Sequence, residues 1–226
     1  MPWIVLTLCI VAIVYGPSVW ARTVLARNGD DRPDFPGTGG ELARHLLDEA
    51  GLQEVTVELT ERGDHYDPED KAVRLTPGNL DGRSLTAITV AAHEVGHALQ
   101  DRDNYQPLQT RTDMVRWTGG LQKLGSAVLF GSFLLGAITQ APGVTLLFAG
   151  VGVATMASSV LVHLITLPVE FNASFQRALP ILDQGGYLPP EDMPAARRIL
   201  KACALTYVAA SLAGLLNLWR WIRVFR

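Results

Sequence analysis

Residues 3–21, WIVLTLCIVAIVYGPSVWA, carry no charged side chain, and two further uncharged runs follow at 124–140 and 143–167. As helices, runs of this length cover the hydrocarbon core of a bilayer. A fourth run, 203–219 (CALTYVAASLAGLLNLW), is slightly short before Arg220. The mean hydropathy of +0.19 understates this pattern, because most of the charge is concentrated in residues 22–118. A cleaved signal peptide is the alternative reading of the first run. No basic stretch precedes it and Ser18-Val19-Trp20-Ala21 is a weak cleavage site, so an uncleaved anchor is expected.

Pro142-Gly143 breaks the pattern between the second and third runs, and no charge lies in the connection. A tight helical hairpin is expected there, with Gly131, Gly136, Gly150 and Gly152 permitting close helix packing. Four crossings would put both termini on one side and the polar segments 22–123 and 168–202 on the other. Those segments hold Arg22, Arg27, Arg111, Arg116, Lys123, Arg177, Arg197, Arg198 and Lys201, which by the positive-inside tendency places them in the cytoplasm. Arg220, Arg223 and Arg226 in the tail pull the other way, and Trp219 and Trp221 read with them as an interfacial belt. The expected layout is an anchor at 1–25, a cytoplasmic α+β segment at 26–123, a hairpin at 124–167, a cytoplasmic segment at 168–202 and a last helix with tail at 203–226.

The polar part is organised. After the Gly/Pro-rich linker 28–40, Glu41 to Ala50 has apolar residues at helical spacing and stops at Gly51. Residues 55–59 and 72–75 alternate like strands, with the polar stretch Asp64-His65-Tyr66-Asp67-Pro68-Glu69-Asp70 between them. Ser84 can cap a helix over about 85–101. A net charge of −3 without any basic run excludes nucleic acid as a partner. Cys9 and Cys203 both lie in apolar segments and read as small buried hydrophobes, with no CxxC pattern.

The helix at 85–101 contains A-A-H-E-V-G-H-A-L-Q, residues 91–100. Residues four apart share a helix face, so His93 and His97 can address one metal. Two imidazoles suit zinc, and a catalytic site adds a third protein ligand and leaves a position for water. Glu94, beside them, is placed to take a proton from that water. Gly96 leaves room near the metal. The sequence does not continue as H-x-x-G-x-x-H, so no third histidine follows. Two carboxylates remain. Asp101 lies four residues past His97, where continuing one helix face makes a tetrahedral shell difficult. Glu170, in L-P-V-E-F-N-A-S (167–174), emerges where the third apolar run ends, on the same side as the motif.

The segments D-H-Y-D-P (64–68), A-A-H-E-V-G-H-A-L-Q (91–100) and L-P-V-E-F-N-A-S (167–174) resemble the YugP-like, or neutral zinc metallopeptidase, family of bacterial membrane enzymes. The likeness runs over nearly the whole chain. More distantly the chain is similar to membrane peptidases of the HtpX/Ste24 type, whose matching stretch reads E-F-x-A-D; Ser174 stands where they have the aspartate. The resemblance implies one zinc ion per chain at His93, His97 and Glu170, with Glu94 as general base and acid. It also implies that Ser174 or Asn172 takes over the orienting role of that aspartate.

Other polar groups are candidates for stabilising an oxyanion: His65, Tyr66, Asn172 and Arg177. His163, inside the third run, is a candidate functional or helix-packing group, and His45 reads as solvated. The strand at 71–76 could receive an extended substrate by edge pairing. The expected fold is thus a mainly α membrane protein: about four transmembrane helices and a small α+β, zincin-like layer carrying H-E-x-x-H. The expected function is a gluzincin-like zinc metalloendopeptidase, multi-pass in the cell membrane. Its partners are the lipid bilayer and protein or peptide substrates, with its site facing the cytoplasm. The rival from another class is a non-catalytic membrane adaptor that keeps zinc for structure.

Overall fold

The computed structural model describes residues 2–118, 131 and 142–206. These fall into two compact units, one from residues up to 16 and 110–166, the other from 17–109 and 167–206. The elements are α1 (Pro2–Arg27), α2 (Gly39–Glu49), β1 (Thr56–Leu59), β2 (His65–Asp67), β3 (Ala72–Leu75), α3 (Pro77–Leu80) and α4 (Leu85–Arg102). They continue with α5 (106–118), α6 (Pro142–Phe171), a π-helical stretch (Asn172–Ala178), α7 (Leu179–Gln184) and α8 (193–206).

The expectation of a membrane protein with about four transmembrane helices is corrected here. Among the described residues no helix is long and apolar enough to cross a membrane. The mixed architecture is α-helical with one small sheet. Apolar composition predicts burial without specifying the medium, and several residues of the apolar runs are buried within protein. Val14 and Ala21 of α1 and Val162 and Thr166 of α6 are all buried. The run 124–140 (but for residue 131), the chain from 207 onward and the aromatic tail lie outside the described residues.

Apart from His163, every functional candidate belongs to the second unit. In that unit α2 opens with a capping box, in which Thr38 Oγ1 accepts the Glu41 N–H and Glu41 accepts the Thr38 N–H. It closes on Gly51 at φ +73°, a left-handed position that glycine occupies without strain. The sheet has the order β1-β3-β2, with β1 parallel and β2 antiparallel to β3. Val73 pairs with Val57 on one side and Tyr66 on the other. β3 is therefore central, with both edges taken, so the strand expected to accept substrate at its edge has no free edge.

β2 forms inside the stretch that reads as a polar turn. Asp64 accepts hydrogen bonds from the Thr76 N–H and hydroxyl and from the Asn79 amide. Asp67 accepts the N–H groups of Glu69 and Asp70 and pairs with Arg74. The acidic side chains thus satisfy the backbone donors where the chain turns between β2, β3 and α3.

α4 is the axis of this unit. Ser84 Oγ accepts the Ala87 N–H at 3.0 Å and starts the helix. Every residue from Leu85 to Gln100 is buried, because α2, α3, β2, β3, the π-helical stretch and α7 all pack against it. Burying each of Val90, Val95 and Leu99 contributes about 1.5–3 kcal/mol. That offsets the cost of burying His93, Glu94, His97 and Gln100, whose polar atoms must find partners inside.

Candidate metal centre

α4 and the π-helical stretch that follows α6 meet at Gly96. A Cβ at that position would lie 2.8 Å from the carbonyl oxygen of Ala173. The missing side chain thus serves close backbone approach, where the sequence suggested room for a metal. This contact brings Glu170, the penultimate residue of α6, against the histidine face of α4.

His93, His97 and Glu170 are brought together. Their ligand atoms lie within 4.8 Å of one another and all three residues are buried. Glu170 Oε2 is 3.3 Å from His93 Nε2 and 3.4 Å from His97 Nε2. The imidazole centroids are 4.8 Å apart, near perpendicular at 76°. A tetrahedron with metal–ligand bonds of about 2.0–2.1 Å has edges of about 3.3–3.4 Å, so the two measured edges fit a zinc-sized ion. Burial pushes the Glu170 carboxyl up, but the imidazoles of His97 and His93 beside it outweigh that push. The group is held well below the usual carboxylate range, ionised as a ligand must be.

The distal nitrogens are also held. His93 Nδ1 lies 3.1 Å from Ser174 Oγ, and that hydroxyl donates to the Leu200 carbonyl at 3.2 Å. Its proton being committed, Ser174 accepts from His93. His97 Nδ1 lies 2.9 Å from Gln100 Oε1. Both rings thus carry hydrogen on Nδ1 and turn the Nε2 lone pair toward Glu170, the arrangement metal-ligating histidines need.

Glu94 follows His93 on α4 and is 6 % exposed. The remaining candidates have other partners. Asn172 accepts from Gln100 and Arg177. Arg177 pairs with Asp103. His65 Nδ1 meets the Gly63 carbonyl. Tyr66 donates to Asp101 at 2.6 Å, and Lys71 pairs with the same carboxylate. The sheet therefore holds Asp101, the nearer carboxylate in sequence. His45 contacts Tyr187 and Glu49, and the side chain of His163 lies outside the described residues. Gln100 was missed by sequence reasoning. The one available signal was its place three residues past His97, one helical turn on. A separate groove of about 960 Å³, between the start of α2 and residues 183–193, is lined by none of the metal-site residues.

Residues 3–226 match the family model described as "Putative neutral zinc metallopeptidase". Over 217 residues the chain is 37% identical to a protein of Bacillus subtilis (strain 168) named "Putative membrane protease YugP". The match covers 93% of this chain and 92% of that one. No solved structure matches the chain. With the match spanning almost the whole sequence, and including the residues gathered around Gly96, the chain belongs to the neutral zinc metallopeptidase family.

Proposed function

We propose that the protein is a membrane-associated zinc metalloendopeptidase that hydrolyses peptide bonds in membrane or membrane-proximal proteins. The observation that carries this reading is the pair of 3.3 and 3.4 Å edges from Glu170 Oε2 to the two Nε2 atoms, with Glu94 next to His93 on the same buried helix. His93, His97 and Glu170 would hold one zinc ion. Zinc, when bound, supplies positive charge that stabilises the developing oxyanion and acidifies water. Ser174 and Gln100 keep the Nδ1 protons in place, so both imidazoles remain neutral donors at Nε2. The Glu94 carboxylate takes one proton from the attacking water as the new C–O bond forms. It passes that proton to the amide nitrogen as the C–N bond breaks. A purely structural zinc site would have no use for that carboxylate.

Membrane association is supported by the name of the Bacillus subtilis relative and by exposed apolar surface. Leu147 and Val151 of α6 lie on one helical stripe and are 68 % and 45 % exposed. On α1, exposed Val19 and Trp20 adjoin Arg22 and Arg27, an aromatic and basic combination suited to an anionic headgroup layer. The same basic residues favour a site on the cytoplasmic side.

The test is Glu94→Gln. The variant is expected to retain zinc and lose cleavage of its substrates, read by comparing the membrane proteomes of cells carrying either form. Retained zinc with unchanged cleavage would refute the hydrolase reading.

A further inference from the structure

We propose that Gln100 is the positioning residue of this centre. One buried amide selects the tautomer of His97 and at the same time ties α4 to the turn that carries Glu170. The proposal rests on the reading of His97 and Glu170 as zinc ligands.

Gln100 is fully buried on α4. Its Oε1 lies 2.9 Å from His97 Nδ1, and its Nε2 lies 2.8 Å from the Val169 carbonyl and 2.8 Å from Asn172 Oδ1. The orientation of this amide is set by its surroundings. A carbonyl oxygen only accepts, so the end facing Val169 must be the NH₂ group. The other end is then the oxygen, and His97 must bring it the Nδ1 proton. Asn172 is fixed by the same logic. Its Oδ1 also accepts Arg177 Nε at 3.1 Å, and its own amide nitrogen donates to Gln176. Arg177 in turn donates to Asp103 at 2.6 Å. Each hydrogen bond from Asp103 to His97 thus has its donor assigned.

The metal site depends on this amide in two ways. A neutral imidazole with hydrogen on Nε2 has no lone pair to offer there, so the acceptor at Nδ1 prepares His97 before any ion arrives. Val169 immediately precedes Glu170, so the second donation holds the backbone beside the third ligand. One side chain therefore spans the two halves of the site, which are about 70 residues apart in sequence. Burial makes this grip strict, because an amide left without its partners there is costly.

Gln100→Met keeps the length of the side chain and removes its polar head. In the purified full-length protein, zinc affinity measured by competition with a chromogenic chelator is expected to fall about 10- to 100-fold. In the metal-free protein, the ¹⁵N signals of His97 are expected to change from a single Nδ1–H tautomer to a mixture, a readout that packing alone would not move. Native zinc affinity and a native tautomer in a folded Gln100→Met protein overturn the proposal. Should Gln100→Met not fold, Arg177→Met decides at the outer end of the chain. A shifted His97 tautomer with affinity about threefold lower supports the proposal, and unchanged values overturn it. His97→Ala separates the two readings: native zinc affinity in that variant would refute the metal site itself.

Discussion

Ser174 accepts a hydrogen bond from His93 at 3.1 Å only because its own proton is spent on the Leu200 carbonyl. A neutral hydroxyl thus meets the distal nitrogen of this ring. Its acceptor strength is lower than an anion's, yet its buried position makes it specific. Ser174→Ala is expected to lower zinc affinity about tenfold while the protein stays folded. Chelator competition alongside thermal melting checks this. Native affinity would show that His93 needs no orienting partner.

The ligand assignment is tested most directly at Glu170. Glu170→Ala removes the sole carboxylate of the donor set, and purified protein is expected to contain little or no zinc by atomic absorption. Full zinc occupancy in a folded variant would exclude Glu170 as a ligand.

Gly96→Ala probes the junction of the two halves. The added methyl meets the Ala173 carbonyl at 2.8 Å, a backbone contact that cannot be relieved by a rotamer change. The expected cost is about 1–3 kcal/mol, a melting temperature several degrees lower, and weaker zinc binding because Glu170 moves with Ala173. A variant with unaltered melting and zinc content would contradict the close approach.

Asp67 gives a pH dependence with a definite sign. Burial pushes its carboxyl up, but the N–H groups of Asp70 and Glu69 and the Arg74 guanidinium outweigh this and hold it below the usual range. A depressed folded value means stabilisation that is fully present above the unfolded value of about 3.9 and lost as pH falls through the folded one. Asp67→Asn is expected to melt below the native protein at pH 7, with the two profiles converging as pH falls through the depressed folded value. A gap that stays constant over that fall would remove Asp67 from the acid response.

The α1 surface is testable with vesicles. Replacing Arg22 and Arg27 by Gln is expected to weaken binding to anionic vesicles by about 1 kcal/mol per residue, with the loss shrinking in high salt. Equal binding of native and variant protein to neutral and anionic vesicles would leave these arginines without a headgroup role.

The pair His93 and His97 was legible because helical spacing is local, and Glu170 because chain order and family likeness both pointed to it. Gln100 was not legible. Its letter reads as an ordinary polar residue near a helix end, and its partners Val169 and Asn172 lie on a distant segment. The strand His65–Asp67 was hidden for a different reason. Polar letters suggested a turn, whereas pairing with β3 and the Asp64 and Asp67 side chains make that stretch extended. The uncharged runs read as bilayer crossings, whereas Val14, Ala21 and Val162 are buried side chains of helices that are not long and apolar enough to cross, because hydropathy cannot say whether protein or lipid does the covering.

The π-helical stretch Asn172–Ala178 begins two residues after Glu170, and the Leu179 N–H reaches back to the Ser174 carbonyl across its widened turn. Such a turn accommodates one more residue than an α-helix would. Removing a residue between Glu170 and Ser174 would shorten that path and set the carboxylate and the hydroxyl at a different angle about the helix axis, so that both could no longer meet the histidine face of α4. Chain length between the carboxylate and the hydroxyl thus acts as a gauge, so insertions and deletions in this stretch should be tolerated far less well than substitutions of its exposed side chains.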